Sequence, residues 1–122
     1  MTEPNAAGRR IVRTGEAPFR PYDRCGKRVP GLTWLDVSYD DASGHGCFLV
    51  RFAPGGRSLP HEHTGIEEFL VLEGELVDSD GSVFRQGDFV SFPPGSRHWS
   101  EAPGGCLIAV FLRGANRLID DG

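Results

Sequence analysis

An all-β, single-domain protein is the fold class that the sequence predicts, on three observations. Glycine (17) and proline (9) occupy 26 of the 122 positions, and they are spread so evenly that the longest stretch free of both is residues 32–43. Because Gly and Pro cost about 1 and about 3 kcal/mol in a helix interior, this spacing excludes bundles, coiled coils, helical repeats and doubly wound α/β folds. Short apolar segments recur at intervals of about ten residues with turn residues between them, the pattern of a sandwich or barrel. The composition is 39% apolar, enough for a packed core at a length where one core suffices. No apolar run approaches the roughly 18 residues of a membrane span.

The elements follow in order. Residues 1–17 lack apolar periodicity and read as a flexible lead-in to a domain spanning 18–122. Residues 32–39 alternate, with Leu35, Val37 and Tyr39 on one face, until Asp40 to Gly44 break the pattern. Residues 47–52 form a second strand, ended by Pro54, Gly55 and Gly56. A third covers residues 67–72 and is closed by Gly74. Residues 75–84 place Asp80 and Gly81 between short apolar segments, a hairpin signal. Residues 88–92 run into Pro93, Pro94 and Gly95, and residues 106–112 are wholly apolar, as suits a strand covered on both faces. There is no internal repeat and no linker to a second domain.

Charge and cysteine usage narrow the function classes. The net charge is −4, with a basic segment over residues 1–30 and an acidic body after it. The arginines of that segment are scattered and accompany no recognition-helix pattern, so nucleic acid is not an expected partner. A solvated arm, or one lying on an acidic neighbouring subunit, is the expectation. Arg9 and Arg10 are followed by no apolar stretch that would make an export signal, and a cytoplasmic protein is the default. Cys25, Cys47 and Cys106 form no CxxC pair, and an odd count argues against a disulfide framework. Cys47 and Cys106 lie in apolar runs and are expected as buried free thiols.

Three of the four histidines stand in two compact segments. His61 and His63 are two apart, so on an extended chain both imidazoles point the same way. Glu67 keeps that parity after a bend at Thr64 and Gly65 and opens an apolar strand, where burying an unneutralised carboxylate costs roughly several kcal/mol. A divalent cation would remove that cost. His98 follows the turn of Pro93, Pro94 and Gly95 between two strands. Two histidines, a carboxylate and a distant third histidine make an N₃O metal site. His45, between glycines, reads as a turn residue.

Both segments resemble the two motifs of the cupin superfamily. Gly55, His61, His63, Glu67 and Gly74 match G-x5-HxH-x3-E-x6-G, and Gly87, Pro93, Gly95 and His98 match G-x5-PxG-x2-H-x3-N, with Ala102 at the place of the final asparagine. The resemblance implies a cupin-type β-barrel (a double-stranded β-helix or jelly roll) holding one divalent transition ion (Fe, Mn, Ni, Co or Zn) on His61, His63, Glu67 and His98. It also implies a homodimer, formed by sheet packing or exchange of an N-terminal strand. The wording from Arg51 to Gly56, His61 to Glu75 and Pro93 to His98 is similar to the ChrR-like cupins, which include anti-sigma-factor domains and dioxygenases that cleave diketones such as acetylacetone. The anti-sigma role needs a separate zinc domain whose His and Cys ligands this chain lacks. The acetylacetone-cleaving type has a three-histidine site, to which Glu67 adds a fourth candidate ligand here.

Two functions follow from coordination. Four ligands on an octahedral ion leave two positions, where a substrate oxygen and dioxygen fit side by side; this suits a dioxygenase-like enzyme for a small enolisable or phenolic substrate. Four ligands on tetrahedral zinc close the shell, which suits a non-catalytic binding or regulatory protein. No dedicated acid or base is visible. By strand parity Phe69 and Val71 share the side of Glu67, and Ser100 that of His98, which makes them the expected lining of an apolar pocket for a small-molecule ligand. Arg51 and Arg97 alternate away from it, and Trp34 and Trp99 are expected only to pack.

Overall fold

A computed structural model describes residues 2–4, 8–24, 26–114 and 116–119, and these form strands and turns. The strands are β1 (Thr2–Pro4), β2 (Arg10–Val12), β3 (Arg20–Pro21), β4 (Leu32–Asp36), β5 (His45–Phe52), β6 (Gly56–Arg57), β7 (His61–His63), β8 (Glu67–Asp78), β9 (Val83–Arg85), β10 (Phe89–Phe92), β11 (Arg97–His98), β12 (Ser100–Ala102), β13 (Cys106–Arg113) and β14 (Asn116–Leu118). No helix among the described residues is long and apolar enough to cross a membrane.

Every pairing is antiparallel, and the main sheet runs β3-β4-β5-β13-β8-β12-β6, with β9 and β10 also on β8. β7 lies between β11 and β14 in a second sheet, and β1 pairs with β2. The main sheet is a curled half-barrel with β3 and β6 at its ends. β6 comes close to the start of β4, since a Cβ on Gly31 would stand 3.3 Å from Gly56 Cα.

The curl originates in β8, which belongs to two groups of partners. Its first part pairs with β13 and β10, and its last residues pair with β9 and β12. Gly74, expected to close a strand at residue 72, instead lies inside β8. Opposite β13, Val71 faces Ile108 while Glu73 faces Leu107, so Leu72 is an extra residue in the ladder. Such a bulge bends a strand and increases its twist. Gly74 is needed at the bend: its φ is +77°, and a Cβ there would stand 2.2 Å from Gly105 O.

The extra residue also reverses the side-chain alternation. Glu67, Phe69 and Val71 are buried before the bulge, and Leu76 and Asp78 after it. The inner core gathers Trp34, Phe48, Val50, Phe52, Phe69, Val71, Ile108 and Val110. A second cluster, with Ala17, Leu35, Leu49, Leu107 and Ala109, lies on the other face and is packed against by Val12 and Phe19.

Most predicted strands appear, with informative differences. The alternation over 32–39 stops at Asp36, whose Oδ1 accepts the Tyr39 N–H at 2.9 Å. This turn sends Tyr39 to the inner core, while Leu35 and Val37 remain with the outer cluster. The short strands β6, β11 and β12 carry no periodicity in two or three residues and are not predicted, whereas β7 is the extended segment expected at His61 and His63. Cys106 is a buried free thiol, Cys47 is a half-buried one, and Cys25 lies outside the described residues. His45 opens β5 and is exposed.

Candidate metal centre

His61 and His63 lie on β7, two residues apart, and their side chains fall on one face. β11 pairs with β7 so that His98 stands directly opposite His61. The turn before β11 sets that register. Gly95 has a φ of +87°, its N–H donates to His63 O at 2.7 Å, and Ser96 O accepts the His63 N–H at 3.0 Å. Glu67, the first residue of β8, completes the group.

The four predicted ligands come together. One ligand atom from each of His61, His63, Glu67 and His98 lies within 4.8 Å of all the others. His63, Glu67 and His98 are buried, and His61 is half-buried. Glu67 Oε2 is 2.5 Å from His63 Nε2 and 3.8 Å from His61 Nε2. His63 Nε2 and His98 Nε2 are 3.1 Å apart.

The other nitrogen of each ring shows what these atoms offer. His61 Nδ1 is 2.8 Å from Leu59 O, and a carbonyl only accepts, so this nitrogen carries the proton. His98 Nδ1 donates to Asp78 Oδ1 at 2.7 Å by the same logic. Ser96 Oγ gives its hydroxyl proton to Pro93 O at 2.7 Å and accepts from His63 Nδ1 at 2.9 Å. Each neutral imidazole then points a bare Nε2 lone pair at one centre. His61 Nε2 is buried with no hydrogen-bond partner. Two bare nitrogens at 3.1 Å repel one another, and a cation between them turns that repulsion into ligation. Ligands about 2.1 Å from one ion and at right angles stand roughly 3 Å apart, close to the separation observed. This N₃O set fits a divalent transition ion.

The charges agree. Burial opposes ionisation of Glu67, but the adjacent His61 and His63 outweigh it and hold the carboxyl well below the usual carboxylate range. Burial pulls the His61 imidazole down while the Glu67 carboxylate pulls it up, and the net direction is upward from 6.5.

Asp78 went unread in the sequence. It is 6% exposed, and its Oδ1 accepts from both His98 Nδ1 and Ser100 Oγ, at 2.7 and 2.8 Å. A carboxylate behind a ligating imidazole fixes its tautomer and orientation and raises its basicity. Simple alternation from Glu67 places Asp78 on the opposite side of β8, and the bulge at Leu72 brings it inward. Ser96 has the same kind of role for His63, with no signal beyond its place in the motif.

A small cavity of about 50 Å³ lies against the ligands. His61, Glu67 and His98 stand at its polar end with Ser58 and Ser100, and Phe48, Phe52, Phe69, Ile108 and Val110 are among its apolar walls. Of the expected lining residues, Phe69 and Ser100 stand on the wall, and Val71 is packed in the inner core at 1% exposure. Arg51 and Arg97 are exposed, near Glu73 and Glu62. Trp34 packs edge-on to Phe48, and the Arg57 guanidinium lies 3.9 Å over the Trp99 ring.

Comparison with known proteins agrees with this architecture. A protein of cupin-like fold from Ralstonia eutropha has a TM-score of 0.78 at 24% identity, over 91% of this chain and 70% of that one. An acetylacetone dioxygenase from Acinetobacter johnsonii has a TM-score of 0.73 at 17% identity, over 91% and 76%. A polyketide cyclase from Streptomyces resistomycificus has a TM-score of 0.72 at 22% identity, over 93% and 87%. At such identities the likeness is one of fold. No curated protein matches the chain in sequence. The family described as the ChrR cupin-like domain matches residues 7–115. That match spans most of the chain, which therefore belongs to the ChrR cupin-like domain family of the cupin superfamily.

Proposed function

We propose that this chain is a metal-dependent cupin acting as a dioxygenase-like oxidoreductase on a small enolisable or phenolic substrate. The observation that carries the reading is the convergence of His61, His63, Glu67 and His98 at the polar end of an otherwise apolar cavity. The fold shared with an acetylacetone dioxygenase supports it. A divalent transition ion bound there supplies Lewis-acid activation and, if redox-active, electron exchange with dioxygen.

The chain's own residues do the rest. Leu59 O, Ser96 and Asp78 hold the Nδ1 protons of the three imidazoles, so that every Nε2 faces the centre. Glu67 balances part of an ion's charge. Phe69 and its apolar neighbours keep bulk water from the polar end and favour a small organic body over a sugar phosphate.

Elemental analysis of protein purified without added metal tests the site; about one transition ion per chain is expected. Oxygen uptake with Fe(II) across a panel of diketones and catechols tests the activity, and silence across that panel counts against it. The four-ligand set also allows a second reading, a protein in which these residues close the shell of a zinc ion and which binds a ligand or regulates without turnover. Full zinc occupancy with no oxygen uptake selects it. Either form is expected as a cytoplasmic homodimer, and sedimentation velocity at several concentrations tests the association.

A further inference from the structure

β7 carries two of the four metal ligands on only three residues, between Pro60 and the bend at Thr64 and Gly65. Its two neighbours are β11 and β14, and among the described residues β14 pairs with no other strand. The registers build two rows across these strands. Leu118, His61 and His98 stand opposite one another in the first, and Arg117, Glu62 and Arg97 in the second. Opposed residues share a face of a sheet, and successive residues of a strand take opposite faces. The first row therefore lies on the metal side of the sheet and the second on its back.

Charge holds the second row together. Glu62 Oε2 accepts from Arg97 Nε at 3.3 Å, and Glu62 Oε1 accepts from Arg117 Nη2. One carboxylate on the central strand thus ties down both outer strands. Beyond the row, Ile119 N–H donates to Pro60 O at 3.1 Å, and Gly114 N–H donates to Gly44 O at 3.0 Å. On the metal side, the half-buried Leu118 stands next to His61, the half-buried ligand. Leu118 and Ile119 border an open recess with Leu59, Pro60 and Lys27, so apolar packing alone holds this end of the chain weakly.

We propose that β14 is a strap on the metal centre, fastened by Glu62 between Arg97 and Arg117, and that strap docking and metal retention support each other. Without β14, β7 and β11 are a two-stranded pair, which is marginal by itself. With β14 in place, β7 is held from both sides, and His61 and His63 keep the positions that converge on the ion. An ion on those histidines fixes β7 in turn and favours the docked strap, since coupling between two binding events is reciprocal. Glu62 is a positioning residue here, acting through β7 while its own carboxylate lies on the back of the sheet. This inference rests on reading the four residues as a metal centre and holds whether or not the chain turns over dioxygen.

Zinc affinity of the full chain, read by competition with a chromophoric chelator, tests it in the wild type, Arg117→Gln and Glu62→Gln. At Arg117 the strap and simple charge predict opposite signs. Losing a cation near the ion would by charge alone tighten zinc binding, whereas loosening the strap weakens it. Arg117→Gln should bind zinc about two- to fivefold more weakly, the range that one exposed ion pair can transmit. Glu62→Gln breaks both bridges and should bind more weakly still. Amide hydrogen exchange gives a second reading that needs no variant: zinc should slow exchange across residues 116–119 of the wild type. Arg117→Gln binding zinc as tightly as the wild type or more so, or exchange at 116–119 indifferent to zinc, would overturn the strap and leave the metal centre standing. A wild type that binds no zinc would overturn the centre and the strap together.

Discussion

Asp78 offers the sharpest test of how the metal centre is built. It touches no other candidate ligand directly, yet its Oδ1 holds both the His98 Nδ1 proton and the Ser100 hydroxyl. Asp78→Asn keeps an acceptor in place but removes the charge that raises the basicity of His98. Changes of this kind behind a metal ligand cost about 10–100-fold in affinity, which is about 1.4–2.7 kcal/mol. Asp78→Ala goes further and leaves two buried donors without partners. At about 1–3 kcal/mol for each, the fold should lose about 2–6 kcal/mol, a large part of a typical domain's stability. Competition against a chromophoric chelator measures the first quantity, and urea unfolding of the metal-free chain measures the second. An Asp78→Asn variant with wild-type metal affinity, or an Asp78→Ala variant within about 0.5 kcal/mol of wild type, the range of an ordinary surface change, would refute the reasoning.

The remaining predictions are shorter. His61→Ala and His98→Ala should each remove most of the bound metal in elemental analysis, and full occupancy in either would remove that residue from the ligand set. The metal-free chain should respond to pH at both ends. His61 is raised above 6.5, so its contribution is complete below that value and is lost as pH rises through the raised one. Glu67 is lowered below 4.5, so its contribution is present above that value and is lost as pH falls through the lowered one. Urea midpoints of the metal-free chain should therefore be highest between these two values, whereas metal affinity should rise with pH as His61 gives up its proton. Gly74→Ala should lower the melting temperature. The positive φ alone costs about 1–2 kcal/mol, and the new Cβ would also meet Gly105 O. Cys106, pushed up to about 11 by burial and then by the nearby Glu73 charge, should resist iodoacetamide at neutral pH in the folded chain, as read by peptide mapping, and react once the chain is unfolded.

Local pattern was sufficient for much of this protein. Glycine and proline spacing excluded helices, and the apolar segments located β5, β10 and β13 to within a residue or two and β8 over its first half. The ligand set was legible too, because His61 and His63 share a strand face, Glu67 opens the next strand, and a tight turn precedes His98. These relations span few residues, so chain order carries them. Asp78 escaped because the parity rule assumes an unbroken ladder, and the extra residue Leu72 inverts it over the last part of β8. That bulge exists only where β8 meets β13, from a different part of the chain. Ser96 beneath His63 depends in the same way on a partner far away in sequence. The sequence by itself determined the fold class and the residues able to ligate a metal. Tertiary structure alone decided which polar groups support those ligands, because strand registry and the curl of the sheet set those neighbours.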